Sequence, residues 1–179
     1  RVAIIGFGNA ANATWDLATN YPNLQFSSLD NPNGDLENEI NKWTKEIKDK
    51  NLADIIVVTA DSGRGSSTDR DLESQAYIAA TKSHDVDLFI CGHDHRASVE
   101  TVKNADGKEI YLIDGGGTHP TKNVFTVRFD ENGNFKKFSV TGENIALKDV
   151  EDDQTLAEKL QPWYDETFAW ASAPLGKFD

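Results

Sequence analysis

Three short apolar runs decide what this chain can fold into. VAIIG (residues 2–6), DIIVVTA (54–60) and VDLFICG (86–92) are rich in β-branched residues and show little alternation of polar and apolar positions. Such runs read as strands buried on both faces, the condition of a strand inside a parallel sheet. Helical segments separate them. In GDLENEINKWTKEIKDKNL (34–52), Leu36, Ile40, Trp43 and Ile47 recur at steps of four, three and four, which is one helical face. Asp35 stands at its N-cap position, with acids leading and lysines trailing along the helix dipole. LESQAYIAATKSH (72–84) reads as a second helix. Strand, helix, strand, helix, strand is the order of an α/β fold with a parallel sheet.

After residue 95 the period changes. ASVETVK (97–103), KEIYLID (108–114), NVFTVRF (123–129) and FKKFSVT (135–141) are β-rich, with NADGK and DENGN between them as turns. These segments predict an antiparallel meander. The tail DDQTLAEKLQPWYDETFAWA (152–171) has helical spacing, with a kink expected at Pro162. Trp15 and Tyr21 are the expected anchors of the polar connection after the first strand.

Composition removes several function classes. A net charge of −12 argues against gripping a nucleic-acid polymer, which depends on clustered Lys and Arg. No segment approaches the roughly 18 uninterrupted apolar residues of a membrane span. The single cysteine, Cys91, lies in an apolar run and reads as a small buried hydrophobe.

Chemistry concentrates at the strand ends. Two of the four histidines, His93 and His95, follow the third strand directly in LFICGHDHRA (88–97). On extended backbone they would share one side while Asp94 points away. Ligands bind at the carboxyl ends of strands in open α/β sheets, and converging imidazoles suit a transition metal. The plainer alternative is one surface histidine beside a loop-forming one. Asp61, at the end of the neighbouring strand, adds a third candidate ligand. Gly63 and Arg64 offer a backbone N–H and a guanidinium to a phosphate. Ser66, Ser67 and Thr68 read as plain surface loop. At LIDGGGTHP, His119 either reaches the same pocket or is an ordinary loop residue. His84, near a helix end, reads as structural or exposed.

These motifs, in this order, resemble the second half of a calcineurin-like metallophosphoesterase. They are an apolar strand ending VV-x-x-[H]-S-G, a G-H-x-H about thirty residues later, then a glycine-rich junction and antiparallel strands. The chain is most similar to the 5′-nucleotidase and 2′,3′-cyclic-nucleotide phosphodiesterase group. VAIIGF with ATWDLATN, and DLESQAYIAA, carry the likeness outside the GHDH motif. The resemblance implies the C-terminal part of a four-layer α/β/β/α sandwich over residues 1–148. Residues 149–179 would be a helical linker towards a further domain. It also implies two divalent metal ions (Mn, Zn, Mg or Fe), with His93 on one and His95 on the other. The ions would polarise a phosphate and generate a hydroxide nucleophile. The substrate class would be a nucleotide or other small phosphate ester, and the location extracellular, cell-wall or periplasmic.

Two departures qualify this. The family's D-x-H, G-D and G-N-H-E motifs are absent, so a missing N-terminal half of the catalytic domain is the expected partner and the chain alone is expected to be inactive. Asp61 stands where the family has histidine. A non-catalytic remnant of the same fold is one alternative. An aspartic-protease-like hydrolase using Asp61 and Asp114, from ADSG and LIDGG, is another.

Overall fold

A computed structural model describes residues 1–16, 19, 22–24, 26, 35–68, 71–117, 121–133, 135–144 and 150–176. The chain divides into two compact units, Arg1–Ile145 and Ala146–Asp179.

In the first unit the three apolar runs form strands β1 (Val2–Phe7), β2 (Ile55–Ala60) and β3 (Leu88–Cys91). Helix α1 (Asn12–Trp15) follows β1, α2 (Leu36–Asp49) precedes β2, and α3 (Ala76–Lys82) links β2 to β3. Strands β4 (Ser98–Lys103) and β5 (Glu109–Asp114) complete a five-stranded sheet in the order β1-β2-β3-β5-β4. Neighbouring pairs are parallel from β1 through β5, and β4 runs antiparallel at the edge. The sheet is therefore mixed α/β, as the sequence implies.

The strand order advances from β1 to β2 to β3 in one direction. Two crossovers of the same hand then put their helices on the same face. The core reflects this: Ile40 of α2 and Ala76, Ala79 and Ala80 of α3 pack against Val58, Phe89, Cys91, Ile110 and Leu112. On the opposite face Ile4 is 70% exposed. The buried stripe of α2 is Glu37, Ile40, Thr44 and Ile47. Thr44 replaces the expected Trp43, because the next position one turn beyond Ile40 is the one that points inward. Trp43 lies on the flank beneath the Lys42 ammonium, 5.4 Å from the ring centroid. The helix start is tied to a distant loop, since the Leu36 N–H donates to Gln75 Oε1 at 3.3 Å.

The expected meander is replaced by two arrangements. β5 turns back from β4 and then pairs with β3 in parallel, so the first hairpin extends the main sheet. β6 (Thr121–Phe129) and β7 (Phe135–Asn144) form their own two-stranded antiparallel sheet. Apolar alternation identified the strands, but it carries no information on which strand partners which.

The second unit holds α4 (Gln154–Ala171), capped where Asp153 Oδ1 accepts from the Leu156 N–H at 3.0 Å. It is one helix with Pro162 inside it. Among the described residues no helix is long and apolar enough to cross a membrane.

Cys91 is buried in β3 against the helical layer, as expected for a small hydrophobe. Burial pushes its thiol up, and the carboxyls of Asp114, Asp94 and Glu100 add to the effect. Only the thiolate is nucleophilic. Iodoacetamide at about pH 8 should therefore leave the folded chain unmodified and alkylate it fully in urea, as read by intact mass. Rapid labelling of the folded chain would contradict the packing of β3.

Candidate functional site

The parallel register brings Phe7, Ala60, Cys91 and Asp114 level across β1, β2, β3 and β5. Every loop leaving that edge therefore starts at the same height. An open depression of about 520 Å³ lies there, lined by Gly6, Phe7, Thr59, Ala60, Asp61, Ile90, Cys91 and Gly92. The Asp61 N–H donates to the Phe7 carbonyl at 2.9 Å, fixing the start of the second loop.

His93 is the centre of this edge. Its Nδ1 lies 3.6 Å from Asp61 Oδ1 and its Nε2 lies 3.0 Å from Glu73 Oε2. Trp15 stacks on the imidazole with ring centroids 5.7 Å apart and planes 22° from parallel. The hydrogen bond to Glu73 raises the His93 pKa, burial opposes this, and the Asp61 charge adds to the rise. Asp61 is thus brought to His93 as expected, on the ring's Nδ1 side.

Sequence reasoning missed Glu73 and the role of Trp15. The segment containing Glu73 reads as helix, yet Asp71 and Ser74 form a β-bridge and α3 begins only at Ala76. That turn is what presents Glu73 to His93. Trp15 serves as an anchor on the histidine rather than in the core, and its ring remains half exposed.

The histidines do not stand on extended backbone. His93 has φ +98° and His95 φ +59°, a left-handed region that side chains other than glycine seldom adopt. Such conformations cost about 1–3 kcal/mol each and persist where surrounding structure holds them. Here Asp94 does the holding: its carboxylate accepts the Arg64 N–H at 3.2 Å and the Arg96 N–H at 3.3 Å. His95 is exposed and lies against Gly117. A Cβ on Gly117 would come within 2.6 Å of His95 Cγ, so only glycine leaves room for the ring.

The phosphate-binding features expected of the loop after β2 are spent internally. The Gly63 N–H donates to the Glu73 carbonyl at 2.9 Å. The Arg64 guanidinium is paired with Glu100 through Nε and through Nη2, the latter at 2.9 Å, and lies 4.6 Å above the Tyr77 ring. The bond from Glu100 keeps it firmly charged. Neither group is presented to the depression. His119 lies outside the described residues. His84 is structural: its Nδ1 meets Asp106 Oδ1 at 2.6 Å and its N–H donates to Asn41.

Asp61 and Asp114 do not form a dyad. Their strands, β2 and β5, are separated by β3, and Asp61 is half exposed beside His93. Asp114 is fully buried and its carboxyl meets that of Asp94. Burial, with the bond to Asp94, pushes Asp114 up to about 6. The protease-like reading is therefore overturned by the sheet order and by the partner Asp114 takes.

An imidazole and a carboxylate, His93 Nδ1 and Asp61, are donors of the type that suits a divalent Mn or Zn ion, while Glu73 lies against the opposite ring nitrogen. Among the described residues, no three His, Cys, Asp or Glu side chains are grouped so as to hold a metal ion. The donor chemistry fits a metal and the set is partial.

No protein-family model matches the sequence, and neither does any curated protein. Solved structures do match. A calcineurin-like phosphoesterase from Bacillus subtilis, YfkN, superposes with a TM-score of 0.69 at 18% identity, over 96% of this chain and 53% of that one. A Staphylococcus aureus protein assigned as a 5′-nucleotidase, solved with alpha-ketoglutarate, gives 0.60 at 25% identity over 92% and 32%. A 5′-nucleotidase precursor from Thermus thermophilus gives 0.56 at 18% over 79% and 29%. The chain thus spans about half of the first protein and about a third of the other two. Its α/β fold is that of the C-terminal part of a calcineurin-like metallophosphoesterase.

Proposed function

We propose that this chain is part of a metal-dependent phosphoesterase acting on nucleotide or other small phosphate esters. The observation that carries the reading is the GHDH loop itself. It holds two histidines in left-handed conformations at the carboxyl edge of the sheet, with Asp61 and Glu73 converging on the first. Backbone strain kept at a ligand-binding edge is characteristic of functional sites. The likeness to phosphoesterase and 5′-nucleotidase structures supports the same class.

In this reading His93, with Asp61 on its Nδ1 side, would hold one divalent ion and His95 would contribute to a second. When bound, such ions supply Lewis-acid polarisation of a phosphoryl oxygen. The chain's own residues orient and shield. Glu73 fixes the plane of the His93 ring from Nε2, and Trp15 covers one face of it. The substrate phosphate would be held by groups other than Arg64, whose guanidinium Glu100 already occupies. The parent protein is expected to be exported, in keeping with the precursor from Thermus thermophilus that the chain resembles.

Metal binding is the first test. Calorimetric titration of the 179-residue chain with Zn²⁺ and Mn²⁺ should show binding that His93→Ala weakens by about 10-fold or more, while His84→Ala leaves it unchanged. Equal binding by wild type and His93→Ala, or none by wild type, would favour a non-catalytic remnant of the fold.

Activity is the second. The D-x-H and G-N-H-E motifs do not occur in this chain. Alone with Mn²⁺ it should therefore not hydrolyse a chromogenic phosphodiester measurably. Mixing with an N-terminal segment of the parent protein should restore turnover. Robust hydrolysis by the lone chain would contradict this division of the site.

A further inference from the structure

We infer that Trp15 is a stacking platform for a planar nucleobase, so that the substrate of this edge is a nucleotide ester rather than any small phosphate ester. The inference deepens the phosphoesterase reading, on which it rests for the phosphate, and concerns how the rest of the substrate is recognised.

Charge does little to hold an anionic ester here. Asp61, Glu73, Asp94 and Asp114 stand in or at the start of the loops of this edge, on a chain of net charge −12. Among the described residues of these loops the arginines and lysines are Arg64 and Arg96, and the Arg64 guanidinium is committed to Glu100 and Tyr77. A recognition contact that needs no charge is therefore required, and stacking on an aromatic ring is one.

Trp15 offers such a ring. An indole has two flat faces, and one of them lies on the His93 imidazole with centroids 5.7 Å apart. Yet Trp15 is 49% exposed, and among the described residues no second ring stacks on it. Aromatic side chains stabilise a fold by being buried, so a half-exposed indole at a ligand-binding edge is a surface left for a partner ring.

The platform is held in place. The buried Asn9 side chain accepts the Ala11 N–H at 2.9 Å and donates to the Glu73 carbonyl at 3.3 Å. The Ala11 carbonyl in turn accepts the N–H groups of Thr14 at 2.8 Å and Trp15 at 3.1 Å. The turn that carries Trp15 is thus tied to Glu73, whose carboxylate meets His93 Nε2 at 3.0 Å. One residue steadies both rings of the stack, and a ring fixed beforehand loses little freedom on binding. Asp61, which faces the same imidazole, also lines the open depression of about 520 Å³. Base and phosphate of one nucleotide can therefore be served by one continuous edge.

Indole ¹H–¹⁵N signals test this, because the chain holds four tryptophans and three of them are built-in controls. The 179-residue chain, without metal, would be titrated separately with adenosine, ribose 5-phosphate and phenyl phosphate. Adenosine should move the Trp15 signal saturably and leave those of Trp43, Trp163 and Trp170 in place, although Trp163 and Trp170 are 64% and 81% exposed. Ribose 5-phosphate should leave Trp15 unmoved, and phenyl phosphate, with its smaller ring, should need about tenfold higher concentration than adenosine. In equilibrium dialysis with labelled adenosine, Trp15→Phe should keep binding and Trp15→Ala should weaken it by about tenfold or more.

Equal movement of all the exposed indoles, or a Trp15 signal that stays put, would overturn the inference. So would adenosine binding unchanged in Trp15→Ala, or phenyl phosphate acting as strongly as adenosine. The wild-type titration decides even should the alanine chain fail to fold. Adenosine carries no phosphate and the titration no metal, so failure to bind Zn²⁺ would refute the metal reading alone.

Discussion

The parallel register of β1, β2, β3 and β5 aligns Phe7, Ala60, Cys91 and Asp114 in one row, and the candidate site is built from that row. Each strand ends in a loop that cannot go elsewhere, because the helices return over one face and the strands run the same way. The loop after β1 brings Trp15, the loop after β2 brings Asp61 and Glu73, and the loop after β3 brings both histidines. The loop after β5 brings Gly116 and Gly117. A shift of β3 by one residue against β2 would exchange the faces of Phe89 and Ile90 and carry the GHDH loop away from Asp61.

Local cost at this edge is offset by bonding that crosses between loops. His93 and His95 adopt backbone conformations that neither would choose alone, and Asp94 between them accepts two backbone N–H groups. Arg64 shows how thoroughly the edge is committed. Its N–H goes to Asp94, its guanidinium to Glu100 on β4, and its planar face to Tyr77 on α3. A residue that reads as a phosphate ligand is instead a brace between sheet and helix. Rigid support of this kind is what a ligand site needs from its surroundings.

The strands and the place of the candidate site were legible because burial on both faces leaves an unmistakable apolar run, and because GHDH follows such a run directly. Asp61 was legible for the same reason, as the first polar residue after β2. Glu73 was not, since its segment has helical composition and only the bridge between Asp71 and Ser74 turns it towards His93. The fate of Arg64 depends on Glu100, thirty-six positions away, and no local pattern reports that pairing. Trp43 and Thr44 differ by one position on α2, and which of them points inward depends on what α2 packs against. The pairing of β5 with β3 is likewise decided by the sheet as a whole.

The central claim is that the GHDH loop is a metal-ligating loop. Crystals of the chain soaked in Zn²⁺ and measured at the zinc absorption edge test it most directly. An anomalous peak about 2.0–2.1 Å from a ring nitrogen of His93 or His95 is the expected result. Zinc bound only at His84 and Asp106, or no ordered zinc at all, would contradict it.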